Sequence, residues 1–179
     1  MHQQIVITLC LLIRNAPHLP EQIWGYFPKL MSLFEFYTQE PCGMTYIDPI
    51  ILCFCNFMQK DSETFVNQQM GSGKTPLDAV FHFISMLIEE GKERQNEGFL
   101  ERAMLLLVAM LENLKGKIDN FIEPIISVCL DHLSMGLNSR STFIILQTLA
   151  LCFFYSAEKT FQVLDSKSAT MNFFSLWFE

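Results

Sequence analysis

The residues whose types and spacing could do chemistry begin with Gly71-Ser72-Gly73-Lys74-Thr75. In such a turn backbone amides can cradle phosphates, a lysine can neutralise them, and a threonine hydroxyl can hold magnesium. A phosphate-binding loop also needs a glycine at position 68, which is Gln68 here, and a parallel strand before it. Everything upstream reads as helix, so a flexible linker ending in a helix cap is the expected role.

The remaining candidates weaken in the same way. Cys53 and Cys55, two apart, point to nearly opposite sides of a helix and cannot close on one metal. Cys129 and His132 share a face at i, i+3, but two further ligands are missing and His2, His18 and His82 fall on other elements. Glu89, Glu90 and Glu93 sit beside Lys92 and Arg94 without an apolar pocket to raise a carboxyl pKa, which predicts solvated charge. No Ser, Cys or His lies in a nucleophile motif. The sequence therefore assigns no catalytic, cofactor-binding or metal-ligating residue, and predicts a non-enzymatic chain that uses no cofactor.

What positions side chains in this chain is a succession of amphipathic helices. Half of its 179 residues are apolar and 17% are charged, enough apolar surface for a sizeable core. The net charge of -7 is dispersed, and no Lys or Arg run exists to neutralise a phosphate backbone, so nucleic acid is not an expected partner. The six cysteines fall mostly in apolar runs, and no Asn-x-Ser/Thr acceptor occurs. Both facts agree with a reducing compartment. Ile5 to Ile13 lacks the flanks of a signal peptide, and Phe143 to Tyr155 falls short of the roughly 20 residues a membrane span requires. Membrane insertion is not expected.

Two amphipathic patterns, Phe99 to Leu114 and Phe121 to Leu133, are separated only by a short polar step and predict an antiparallel pair, the building unit of a helical repeat array. In the second, Asp119, Glu123 and Asp131 step down a polar face, expected to meet solvent and only weakly a contact for basic cargo. Other helices are predicted over 1–14, 21–37 with a kink at Pro28, and 45–58 with Asp48 and Pro49 in the first turn. A short one follows over 62–70, then one from Thr75, capped by Thr75 or Asp78, that dissolves into a solvated turn at 89–98. Ser139 or Ser141 should cap a buried helix over 143–155, and Ala157 to Leu164 with Ala169 to Phe178 make a final pair. Breaks fall at Pro41-Cys42-Gly43, Gly71-Ser72-Gly73 and Gly136.

The expected fold is all-α: an α-α superhelix of the HEAT/armadillo type with about four helix pairs, at 20–59, 75–114, 119–156 and 157–179. Residues 1–15 would end a preceding repeat and 60–74 form an insertion. No polar cap is visible at either end, and Trp177-Phe178-Glu179 closes on aromatics, so the chain is expected to be an internal piece of a longer solenoid.

The run from Ala103 to Leu133 resembles a helix pair from the C-terminal half of an importin-beta superfamily receptor. Trp24-Gly25-Tyr26-Phe27-Pro28-Lys29-Leu30, Tyr46-Ile47-Asp48-Pro49-Ile50 and Met171-Asn172-Phe173-Phe174-Ser175-Leu176-Trp177 agree in collinear order, most closely with the importin-seven and importin-eight branch. The resemblance covers nearly the whole chain. It implies tandem HEAT repeats in a nuclear transport receptor (karyopherin) that binds protein cargo and phenylalanine-glycine nucleoporins and shuttles between cytoplasm and nucleus. Such receptors answer to the small GTPase Ran mainly through a region outside this chain, so no Ran-contact residue is implied. A HEAT-repeat scaffold unrelated to transport would have the same fold and other partners.

Overall fold

The computed structural model describes residues 2–40, 43–71 and 73–178. The break at Pro41-Cys42, Ser72, the side chains of His2, Asn172, Leu176, Trp177 and Phe178, and all of Met1 and Glu179 lie outside the described residues. The described residues are helical or connecting, without strand, in the order α1 (His2–Asn15), α2 (Glu21–Trp24), α3 (Phe27–Gln39), α4 (Met44–Lys60), α5 (Ser62–Asn67), α6 (Pro76–Glu93), α7 (Glu97–Asn113), α8 (Ile122–Leu133), α9 (Ser139–Ser166) and α10 (Thr170–Phe178). The chain divides into two compact units, Met1–Ala109 and Met110–Glu179, with α7 carrying the division. Each unit is all-α and HEAT-like in its helix layering.

In the first unit, neighbours in sequence pack antiparallel and alternate helices pack parallel. Phe27 of α3 meets Phe57 of α4 while Tyr37 stacks on Tyr46, so α3 and α4 run in opposite directions. Cys53 Sγ donates to the Val6 carbonyl, Asn56 Nδ2 to the Cys10 carbonyl and Lys60 Nζ to the Ala16 carbonyl. The contacts advance together along both chains, so α1 and α4 run in the same direction. By the same test α3 is parallel to α6, through Phe34–Phe83 and then Thr38–Arg94. Trp24, Phe27, Phe34, Phe54, Phe57, Phe65 and Phe83 form a continuous buried aromatic cluster. Each fully buried ring is worth about 1.5–3 kcal/mol over its exposed state.

Several boundaries differ from the sequence expectation. The helix predicted over 21–37 is broken at Gly25-Tyr26, ahead of the proline, and Pro28 then occupies the first turn of α3, where its missing N–H has no intrahelical partner to lose. Pro49 lies inside α4 rather than in its first turn, because Gly43 already starts that helix. A side chain at Gly43 is excluded: its Cβ would stand 1.7 Å from the Tyr37 carbonyl oxygen. Residues 89–93 complete α6 instead of forming a turn, held by the ion pair Glu90–Arg94 at 2.6 Å. Asn138, not Ser139 or Ser141, caps α9, its Oδ1 accepting from the amides of Arg140 and Ser141.

In the second unit the close partner of α8 is α9, which returns antiparallel from the turn after Ser134. Ser156 (φ -158°, ψ 98°) leaves the helical region and divides α9 where the sequence separates its last two pairs. By length and apolarity α9 could cross a membrane, with a mean hydropathy of 1.3 over its best window. Ser141, Thr148 and Thr160 are buried along it, and the hydroxyls of Thr148 and Thr160 donate to the Ile144 and Ser156 carbonyls of the same helix at 2.8 Å. Phe153, Phe161, Phe173 and Phe174 join α9 to α10.

Candidate functional site

The glycine-rich turn is already consumed by local structure. Gly73 adopts φ +75°, its amide bonds the Met70 carbonyl at 2.8 Å, and the Met70 amide bonds the Lys74 carbonyl at 3.0 Å. Thr75 and Asp78 form a reciprocal capping box. Thr75 Oγ1 accepts from the Asp78 amide at 3.2 Å, and Asp78 Oδ2 accepts from the Thr75 amide and hydroxyl at 2.9 and 2.8 Å. The hydroxyl a magnesium ion would need is committed to starting α6, and α5, not a strand, precedes the turn.

The described cysteines are packing groups. Cys53 is fully buried between α1 and α4 while Cys55 is only half-buried on the other side of α4. Burial pushes the Cys53 thiol far above its ordinary range, with Cys10 adding to the rise, and Cys10 is itself raised by burial. Cys129 is likewise raised by burial and then by Cys152, whose own thiol burial pushes up to about 12. His132 is buried with Nδ1 2.8 Å from the Val128 carbonyl, a bond along its own helix and not across to Cys129. Among the described residues no group of three or more His, Cys, Asp or Glu side chains is placed to hold a metal ion.

Charged residues of opposite sign hold the helices together, a role the local sequence does not display. Arg94, at the end of α6, ion-pairs with Glu90 and donates to the carbonyls of Thr38, Gln39 and Glu40 at 3.1, 3.1 and 3.3 Å. It thus caps the C-terminus of α3, and its guanidinium lies 5.3 Å from the Phe99 ring centroid. Glu90 is accordingly a structural partner instead of solvated charge. Asp48 of α4 receives a bidentate pair from Arg102 of α7 at 2.6 and 2.8 Å. Asp119, placed by sequence on a solvent face, accepts from Lys159 at 2.5 Å and from the Tyr155 hydroxyl at 2.7 Å. Those two donors hold its carboxyl below the usual range, while the Tyr155 hydroxyl, raised by burial and then by Asp119, also accepts from the Ile118 amide. Asp119, Glu123 and Asp131 of that acidic face all remain exposed, Asp119 with its carboxylate also engaged by Lys159 and Tyr155. None of these long-range partners could have been found from spacing, because they lie 36 to 56 residues apart.

What is left as a binding surface is apolar and open. In the first unit, Ile5, Val6 and Leu9 of α1 and Tyr26, Lys29, Leu30, Ser32 and Leu33 around α3 line a groove of about 520 Å³. A second cavity, of about 550 Å³, is lined by Glu21, Trp24, Asp61, Glu63 and polar side chains of α5. In the second unit Phe143 and Phe154, on one side of α9, are 68% and 79% exposed. Surfaces of this kind, without a nucleophile, acid–base pair or metal cluster among the described residues, suit protein contact.

Comparison with known proteins bears on which contact. The chain is 23% identical over 161 residues to a "Probable importin-7 homolog" of Dictyostelium discoideum, covering 87% of this chain and 14% of that protein. It is 20% identical over 164 residues to an "Importin beta-like SAD2 homolog" of Arabidopsis thaliana, covering 92% of this chain and 15% of the relative. The likeness is to importins. It supports the importin-beta superfamily at a distance, and the chain spans about one-seventh of the length of these relatives. No family model and no solved structure matches.

Proposed function

We propose that this chain is a segment of an importin-type nuclear transport receptor, most like the importin-seven and importin-eight branch, and acts by binding proteins on a helical solenoid. The observation that carries the proposal is the similarity to two importin homologues along nearly the whole chain, 87% and 92% of it, rather than in one motif. Antiparallel neighbours and parallel alternate helices support it, because that layering is how stacked helix pairs present a continuous surface. The helix pairs of this reading are residues 20–59, 75–114, 119–156 and 157–179, after a residual helix at 1–15 and with 60–74 as a linker. Its partners are protein cargo and nucleoporins, with Ran acting through parts of the receptor beyond these residues. The receptor shuttles between cytoplasm and nucleus and performs no catalysis.

The test is capture by the receptor that carries this segment, with and without Ran loaded with GTP. Binding of phenylalanine-glycine repeat protein, together with a cargo whose capture changes on adding Ran-GTP, is expected. Binding of proteins with neither property would leave a HEAT-repeat scaffold of another pathway. Measurable nucleotide affinity abolished by Lys74→Ala would instead point to an enzyme.

A further inference from the structure

The seam between α1 and α4 carries one of the few clusters of nucleophilic side chains in the chain. Cys53 Sγ donates to the Val6 carbonyl at 3.6 Å, and in an α-helix that carbonyl also accepts from the Cys10 amide, so the Cys53 sulfur stands at the backbone of Cys10. From the next turn of α4, Asn56 Nδ2 donates to both the carbonyl and the Sγ of Cys10 at 3.2 Å, which holds the Cys10 sulfur against α4. The two thiols accordingly hydrogen-bond each other across the seam. α1 is fastened chiefly through this one face: Val6, Cys10 and Ile13 are buried, whereas Ile5, Ile7, Leu11 and Leu12 are exposed.

We propose that Cys10 and Cys53 are an oxidisable pair, which hydrogen peroxide converts into a disulfide that staples α1 to α4. While the seam is closed it protects them, because Cys10 is 4% and Cys53 0% exposed and burial keeps both thiols protonated and unreactive. Local separation of α1 exposes Cys10, and Arg14, one turn further along the same helix, travels with it and favours its thiolate. The Cys10 thiolate attacks one peroxide oxygen, the O–O bond breaks, and the departing hydroxide takes up the proton the thiol gave up. Cys10 is left as a sulfenic acid. When α1 closes again, the Cys53 sulfur attacks that of Cys10, the S–O bond breaks, and the departing hydroxide leaves as water with the Cys53 proton. Two thiols and one peroxide thus give one disulfide and two waters. The seam accommodates the product, since sulfurs already in contact need only close to the roughly 2 Å of an S–S bond. The Val6 carbonyl keeps its helical partner and Asn56 keeps the Cys10 carbonyl, so no buried polar group is orphaned. The staple bars further opening of α1 until a thiol reductant such as glutathione removes it. None of this chemistry depends on a transport partner.

The experiment treats the folded protein with hydrogen peroxide, blocks the remaining thiols with N-ethylmaleimide and maps the proteolytic fragments by mass spectrometry. A fragment joining Cys10 to Cys53 is expected, together with a urea midpoint raised by about 1 M, both reversed by dithiothreitol. The fragment should persist in Cys55→Ser and vanish in Cys10→Ala and in Cys53→Ala. In Cys53→Ala the sulfenic acid on Cys10 has no resolving thiol and should be captured by dimedone, whereas Cys10→Ala should leave Cys53 unlabelled. Recovery of Cys10 and Cys53 as maleimide adducts in the treated wild-type protein would overturn the proposal. So would linkage of either to another cysteine, a staple that leaves the urea midpoint where it was, or dimedone on Cys53 in Cys10→Ala. The wild-type map decides the pairing even where an alanine variant does not fold. The readout needs no cargo or Ran, so it can fail while transport binding succeeds, and the reverse.

Discussion

Arg94→Ala should destabilise the first unit more than any other surface substitution. The guanidinium serves three carbonyls, of which those of Gln39 and Glu40 belong to exposed residues and can return to water, while Thr38 is fully buried. A charged hydrogen bond to a buried carbonyl, left unmade, costs about 2 kcal/mol. The Glu90 pair, with side chains 23 and 30% exposed, adds about 0.5 kcal/mol, and the Phe99 ring contributes about 0.5–1 kcal/mol. The sum is about 3 kcal/mol, read as a lowered urea midpoint at unchanged slope. Arg94→Lys should recover less than half, since an ammonium on a flexible stem cannot span three carbonyls and a carboxylate together. A double-mutant cycle with Glu90→Gln should return a coupling of about 0.5 kcal/mol, so that most of the loss belongs to the α3 terminus. If Arg94→Ala costs under about 1 kcal/mol, the account of this residue as the cap of α3 is wrong.

Alkaline pH should weaken the fold through its thiols. Cys53, Cys129 and Cys152 are raised in the folded chain, so their stabilisation is complete below the unfolded thiol value of 9.0 and is lost as pH rises from there towards the folded values, about 12 for Cys152. Each thiol loses about 1.4 kcal/mol per pH unit in that window, and Cys152→Ala should remove its share of the slope between pH 9 and 10 in urea titrations. Thr75→Ala opens the capping box of α6 and should cost about 1 kcal/mol by urea unfolding, with no effect on nucleotide binding measured by calorimetry. Tyr155→Phe leaves the Ile118 amide without its 3.0 Å acceptor and should cost about 1–2 kcal/mol, with faster hydrogen exchange at that amide. An unchanged exchange rate would contradict the bond.

Most helices of this fold can be read from their periodicity, and the reason is local. The apolar stripe of α6, the capping pair Thr75 and Asp78, and the glycine break before them lie within one or two turns of each other, so the chain itself specifies them. The same holds for the divide between Tyr155 and Ala157. Periodicity also marks a face as apolar, but it does not say what covers that face. That α1 lies parallel to α4, that Arg94 reaches the end of α3, and that Asp119 pairs with Lys159 were decided by contacts between residues far apart in sequence. An arginine carries no local sign of whether it will end in water or on the carbonyls of a helix 54 residues earlier. Only the stacking of one layer on the next brings Arg94 to the end of α3.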